Sequence, residues 1–158
     1  MQNKISIKKI KEDAEALFQS GGYFCSEAIV ASCRNNFELD MPVEMVAMAA
    51  GFPVGIGRSK CLCGAVSGGV MVLGYFFGRK APSNPNAPEV AKTFAVSKEL
   101  HDYFKEAHGA LCCRILTKGM DMASGEHKQQ CVSFTGEVAG KVAEIVVREL
   151  GLTNIDAV

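Results

Sequence analysis

The residues best equipped for chemistry are seven cysteines: Cys25, Cys33, Cys61, Cys63, Cys112, Cys113 and Cys131. The first ten residues interleave lysine with isoleucine and lack the continuous apolar run and small-residue cleavage site of a leader, so a reducing cytoplasm is the expected setting. In that setting a cysteine set of this size points to metal or iron–sulfur ligation, or to thiol redox chemistry, rather than to a disulfide framework. Cys63 stands out. It follows a glycine-rich loop and should open a helix, where free backbone N–H groups and the helix dipole lower a thiol pKa; Arg58 and Lys60 are near in sequence, and Gly64 leaves the sulfur uncovered. Cys25, after Gly21 and Gly22, Cys113, after Gly109, and Cys131, in the last helix, also fall near expected helix starts. Paired C-x-x-C motifs are absent, so spacing alone does not bring these thiols to one point.

The remaining cysteines read differently. Cys33 lies on a short apolar helix beside Arg34 and is expected to pack as a small hydrophobe. Cys112 adjoins Cys113, but neighbours on a helix point about 100° apart, so Cys112 is also expected to pack. Cys61 makes a C-x-C pair with Cys63, suited to chelating a metal or supplying a resolving thiol; a disulfide across a single residue would be strained. His101, His108 and His127 form no short metal motif and are expected in solvent or core. The glycines of residues 51–57 do not make a phosphate loop, and no Ser-His-Asp or paired-carboxylate pattern appears.

These thiols must be positioned by helices. Ile7, Ile10, Ala14, Leu17 and Phe18 predict a helix over residues 5–19, stopped by Gly21 and Gly22. A second helix is expected over residues 25–33, and a short apolar one from Pro42 to about residue 50 carries Met45 and Met48, with Met41 just before it, as core or subunit contact. Residues 61–78 are apolar and about as long as the shortest membrane span, but five glycines and flanking cations favour a buried central helix. A proline-rich connector over residues 81–88 leads to a helix over residues 89–106, with Val90, Phe94, Leu100 and Phe104 on one side. A helical turn over residues 112–116, a polar loop over 121–126 and a last helix over 129–150 complete the chain. No alternation marks a strand. The expected fold is all-α: one domain, residues 1–158, with about six helices around the Gly/Ala-rich central helix. Seventeen basic and seventeen acidic residues cancel, so no overall field draws in nucleic acid or an anionic membrane.

The chain resembles the C_GCAxxG_C_C family of redox-active proteins. The resemblance is carried by Gly22-Tyr23-Phe24-Cys25-Ser26-Glu27-Ala28, then Cys63-Gly64-Ala65-Val66-Ser67-Gly68-Gly69, then Cys113-Arg114-Ile115-Leu116, then Cys131. It implies that Cys25, Cys63, Cys113 and Cys131 are the functional four. It does not supply a reaction. Three readings follow. One is thiol–disulfide or electron-transfer chemistry centred on Cys63, resolved by Cys25, Cys113 or Cys131 and exchanging with a redox partner. A second is a binding module in which the same four, with Cys61 as accessory, ligate zinc or an iron–sulfur cluster. The third is a non-catalytic helical interaction protein; apolar faces on the short helices would allow a homodimer.

Overall fold

The computed structural model describes residues 1–156. Five full helices and two single-turn helices alternate with loops: α1 (Ile7–Gln19), α2 (Cys25–Asn36), α3 (Glu44–Ala47), α4 (Gly64–Phe77), α5 (Pro88–His108), α6 (Cys113–Leu116) and α7 (Gly125–Leu150). Two short strands, β1 (Lys4–Ile5) and β2 (Thr153–Asn154), pair in parallel and tie the two ends of the described chain together. The all-α expectation holds.

Local chemistry sets the ends of these helices. Ser6 caps α1 by accepting from the Lys9 N–H, and Asp156 reaches back to accept from Ser6 Oγ (2.5 Å) and the Lys8 N–H (2.7 Å). Glu27 accepts from the Phe24 N–H and closes the start of α2. Pro88 occupies the first turn of α5, whose fixed φ suits it, and Gly109 ends that helix in a left-handed conformation.

The core is built around α4. Its small residues let neighbouring backbones come close: a Cβ on Gly68 would sit 2.7 Å from Ser26 Cα, and one on Gly69 would sit 2.7 Å from Leu100 Cδ2 and Val138 Cγ1. Thus α4 lies against α2 on one side and against α5 and α7 on the other. Buried Leu73, Leu100, Phe104, Val138, Val142, Ile145 and Val146 fill the space between. Among the described residues no helix is long and apolar enough to cross a membrane.

Four expectations need correction. The central helix begins at Gly64, not at Cys61, because Cys63 is its extended N-cap residue. The third helix contracts to one turn, Glu44–Ala47, leaving Met41 buried but Met48 63% exposed. On α5 Val96 takes the buried place beside Leu100 and Phe104, while Phe94 is 71% exposed. The last helix starts four residues early, at Gly125, because Ser124 caps it by accepting from the His127 N–H.

Candidate functional site

The segment before α4 has an unusual backbone. From Val54 to Lys60 the left-handed region holds Val54, Gly55, Ile56, Gly57, Arg58 and Lys60. β-Branched residues rarely sit there, so Val54 and Ile56 store strain that the surrounding packing must offset. The chain crosses itself closely at this point: a Cβ on Gly55 would lie 2.2 Å from the Cys61 nitrogen. Two backbone hydrogen bonds then fasten this segment to the residues that begin α6. The Arg114 N–H donates to the Lys60 carbonyl (3.0 Å), and the Cys63 N–H donates to the Leu111 carbonyl (2.8 Å).

This clasp pairs the cysteines. Cys63, the N-cap of α4, and Cys113, the first residue of α6, come to the same place, and both line one cavity. Cys25, the first residue of α2, lies directly over α4: a Cβ on Gly64 would come within 2.7 Å of its sulfur. Glycine at position 64 is therefore what admits Cys25 to the cluster. Cys131 enters from α7, four residues beyond His127, whose Nε2 is 3.6 Å from its sulfur. All four cysteines line one cavity of about 90 Å³, walled largely by Phe18, Phe24, Pro53, Val54, Met122 and Phe134. Phe24 is 54% exposed and stands at the rim, whereas Cys63 is only 6% exposed.

The four thiols are not equivalent. The hydrogen bond from Cys113 is the largest influence on Cys63 and holds its pKa below that of an ordinary thiol; the N–H groups of Ala65 and Val66 add to this, while burial and the nearby Cys25 oppose it. The same hydrogen bond, together with burial, pushes Cys113 well up. Burial pushes Cys25 up to about 12, against a smaller opposing pull from the Ser26 N–H. Burial likewise raises Cys131 to about 11. Cys63 is thus the member of the cluster that ionises first.

The structure therefore gathers Cys25, Cys63, Cys113 and Cys131 around one space. Cys131 is an exception only in its placement, a full turn inside α7 rather than at its start. The outlying cysteines differ from expectation. Cys61 does not turn towards Cys63; its sulfur faces that of Cys112 at 2.6 Å. Cys112 accordingly meets another thiol near the surface instead of packing as a hydrophobe, while Cys33 is fully buried, as a packing residue should be. His127 belongs at the cavity rather than in bulk solvent or core, and its i, i+4 spacing from Cys131 was the signal that marks it. Phe18, Phe24 and Met122 carry no sequence signal of their own.

Four thiols are a donor set suited to zinc or to an iron–sulfur cluster. Among the described residues, however, no group of three or more His, Cys, Asp or Glu side chains is arranged to hold a metal ion.

No curated protein and no solved structure matches the chain. The chain reads Cys63-Gly64-Ala65-Val66-Ser67-Gly68, which shares the A-x-x-G of one family's title but has its cysteine and glycine in the opposite order to the GCAxxG written there. That family, described as "Putative redox-active protein (C_GCAxxG_C_C)", has a model that matches residues 23–145, from just before Cys25 to well past Cys131, and the chain belongs to it.

Proposed function

We propose that the cavity performs thiol–disulfide exchange, with Cys63 as the attacking thiolate and Cys113 as the resolving thiol. One observation carries this reading: Cys63, at the head of α4, and Cys113 line the same cavity with mostly apolar walls, where Cys113 is the neighbour that most favours the Cys63 thiolate. Such a pair has a nucleophile, a donor that stabilises its charge, and a second sulfur in the same cavity.

The Cys63 thiolate attacks one sulfur of a substrate disulfide, forming a mixed disulfide and releasing the first thiolate. That leaving thiolate takes the Cys113 proton, because Cys113 has lost the negative sulfur to which it donated. The Cys113 thiolate then attacks the Cys63 sulfur, forming the Cys63–Cys113 disulfide and expelling the second thiolate, which takes a proton from water. Two electrons pass from the protein dithiol to the substrate disulfide, and a reduced dithiol partner reverses the sequence. Cys25 and Cys131, held neutral by burial, are the alternative resolving thiols. A reducing cytoplasm suits a protein whose seven cysteines are all free.

The experiment is thiol counting on full-length chain carrying Cys61→Ser and Cys112→Ser, purified without oxygen and equilibrated in graded thiol–disulfide buffers. Reversible loss of two thiols, located to Cys63 and Cys113 by peptide mass, is expected. Metal and sulfide analysis on the same sample provides the opposing outcome. Stoichiometric zinc or iron that protects all four cysteines from alkylation would replace the dithiol reading with the four-cysteine centre.

A further inference from the structure

Two cysteines lie outside the cavity, and they face one another. Cys61 is exposed, Cys112 is partly so, and their sulfurs are 2.6 Å apart. A disulfide needs about 2.05 Å, so closing the bond requires a movement of only about half an ångström. The approach is held from both sides by the backbone, through the Arg114 N–H on the Lys60 carbonyl and the Cys63 N–H on the Leu111 carbonyl. Cys112 is further fixed because its carbonyl accepts from the Ile115 and Leu116 N–H groups, the first bonds of α6. The neighbouring sequence is cationic: Arg58, Lys60 and Arg114 lie within three residues of the pair, no acidic residue does, and Arg114 is close enough to act on Cys112.

We propose that Cys61 and Cys112 form a second, surface dithiol–disulfide couple that exchanges with anionic low-molecular-weight disulfides, that is, disulfides whose organic groups carry carboxylates. This site does not depend on the chemistry of the cavity. The Cys61 thiolate attacks the small disulfide, forming a mixed disulfide and releasing one thiolate. Cys112 then attacks the Cys61 sulfur, forming the Cys61–Cys112 bond and releasing the second. The two thiol protons of the protein end on the two released thiolates, and two electrons pass from the protein to the disulfide. Excess of the small thiol reverses the exchange. The backbone clasp keeps the second sulfur beside the first, so the intramolecular bond replaces the mixed disulfide. The cations favour the approach of a disulfide that carries carboxylates.

The test uses the unmodified full-length chain in buffers of graded reduced and oxidised glutathione, quenched with an alkylating reagent and mapped by peptide mass. The expected product is a Cys61–Cys112 linkage that appears and disappears reversibly with the buffer ratio, with no lasting glutathione adduct on either residue. Linkage should form several-fold faster with oxidised glutathione than with the cationic disulfide cystamine at low salt, and the gap should close at high salt. Cys61 and Cys112 remaining as thiols, or carrying two separate glutathiones, would overturn the proposal. Equal rates with the two disulfides would overturn the assignment of an anionic substrate. Cys61 and Cys63 share one peptide and Cys112 and Cys113 another, so each linkage is assigned by running the same titration on Cys63→Ser/Cys113→Ser and on Cys61→Ser/Cys112→Ser chains. Loss of the couple in the second with the first intact would sink only the cavity reading, and the converse only this one.

Discussion

Replacing Cys113 by alanine removes the thiol that donates to the Cys63 sulfur while leaving Cys63 at the head of α4 with its N–H contacts from Ala65 and Val66. A hydrogen bond to a charged group contributes about 1.5–3 kcal/mol. Its loss should raise the Cys63 pKa. Below that pKa the thiolate fraction falls roughly 10- to 100-fold. The more basic sulfur is also the better nucleophile, with a Brønsted slope of about 0.4–0.5, so part of the loss returns and the rate at neutral pH should fall by roughly 4- to 12-fold. The assay is the initial rate at which Cys63 is consumed by a small uncharged disulfide such as 2-hydroxyethyl disulfide, followed by site-resolved mass spectrometry across pH 5–11. Its midpoint is independent of how well the reagent enters the cavity. The alanine profile should be displaced to higher pH, and Cys113→Ser, which keeps an O–H donor, should stay near the original. A midpoint that does not move in the alanine variant, or moves down, would refute the claim that Cys113 sets the ionisation of Cys63.

Other expectations concern the scaffold. Gly68→Ala places a methyl 2.7 Å from Ser26 Cα, which is backbone and cannot swing away, so denaturant unfolding should show a loss of about 1–3 kcal/mol. Gly74→Ala meets nothing within 4 Å on the same helix and should gain about 0.5–1 kcal/mol, so equal effects at the two positions would contradict the packing described. Ser26→Ala removes the buried hydroxyl that donates to the Ala49 carbonyl (2.8 Å), and should cost about 1–3 kcal/mol by the same measurement. Burial raises Cys33 from 9.0 to about 12. Its contribution is therefore complete below pH 9 and is lost as pH rises from 9 towards 12, because the unfolded chain releases the proton first. Between pH 8 and 10.5 the parent should lose about 2 kcal/mol more stability than Cys33→Ala, read from urea midpoints.

Helix ends with a chemical marker were legible in the residues. Gly21, Pro88, Gly109 and Gly151 punctuate the chain where the structure breaks or starts its helices. The start of α7 is hidden because residues 121–126 are polar and read as loop, although Ser124, three residues before His127, is itself a cap signal. The phase of α5 slipped because Phe94 is the larger apolar residue while the smaller Val96 is the one that packs. Strands of two residues are too short to show alternation. At the site, the helix-start placement of Cys25, Cys63 and Cys113 follows from local glycines. The meeting of Cys61 with Cys112 does not, because backbone hydrogen bonds between segments about 50 residues apart impose it. His127 and Cys131 share a helix face by spacing alone and could have been paired in advance.

The parallel pairing of β1 with β2 has a consequence for how the chain is made. Ile5 and its partner Asn154 are about 150 residues apart, and α1 packs chiefly against α7. At roughly 5–20 residues per second, the interval between the synthesis of these segments is about 7–30 s. Throughout that time Ile10 and Ala14 on α1 have only part of their final cover, and Ser6 waits for Asp156. α1 is therefore among the last helices to be fully covered, once the residues of α7 and β2 have been made.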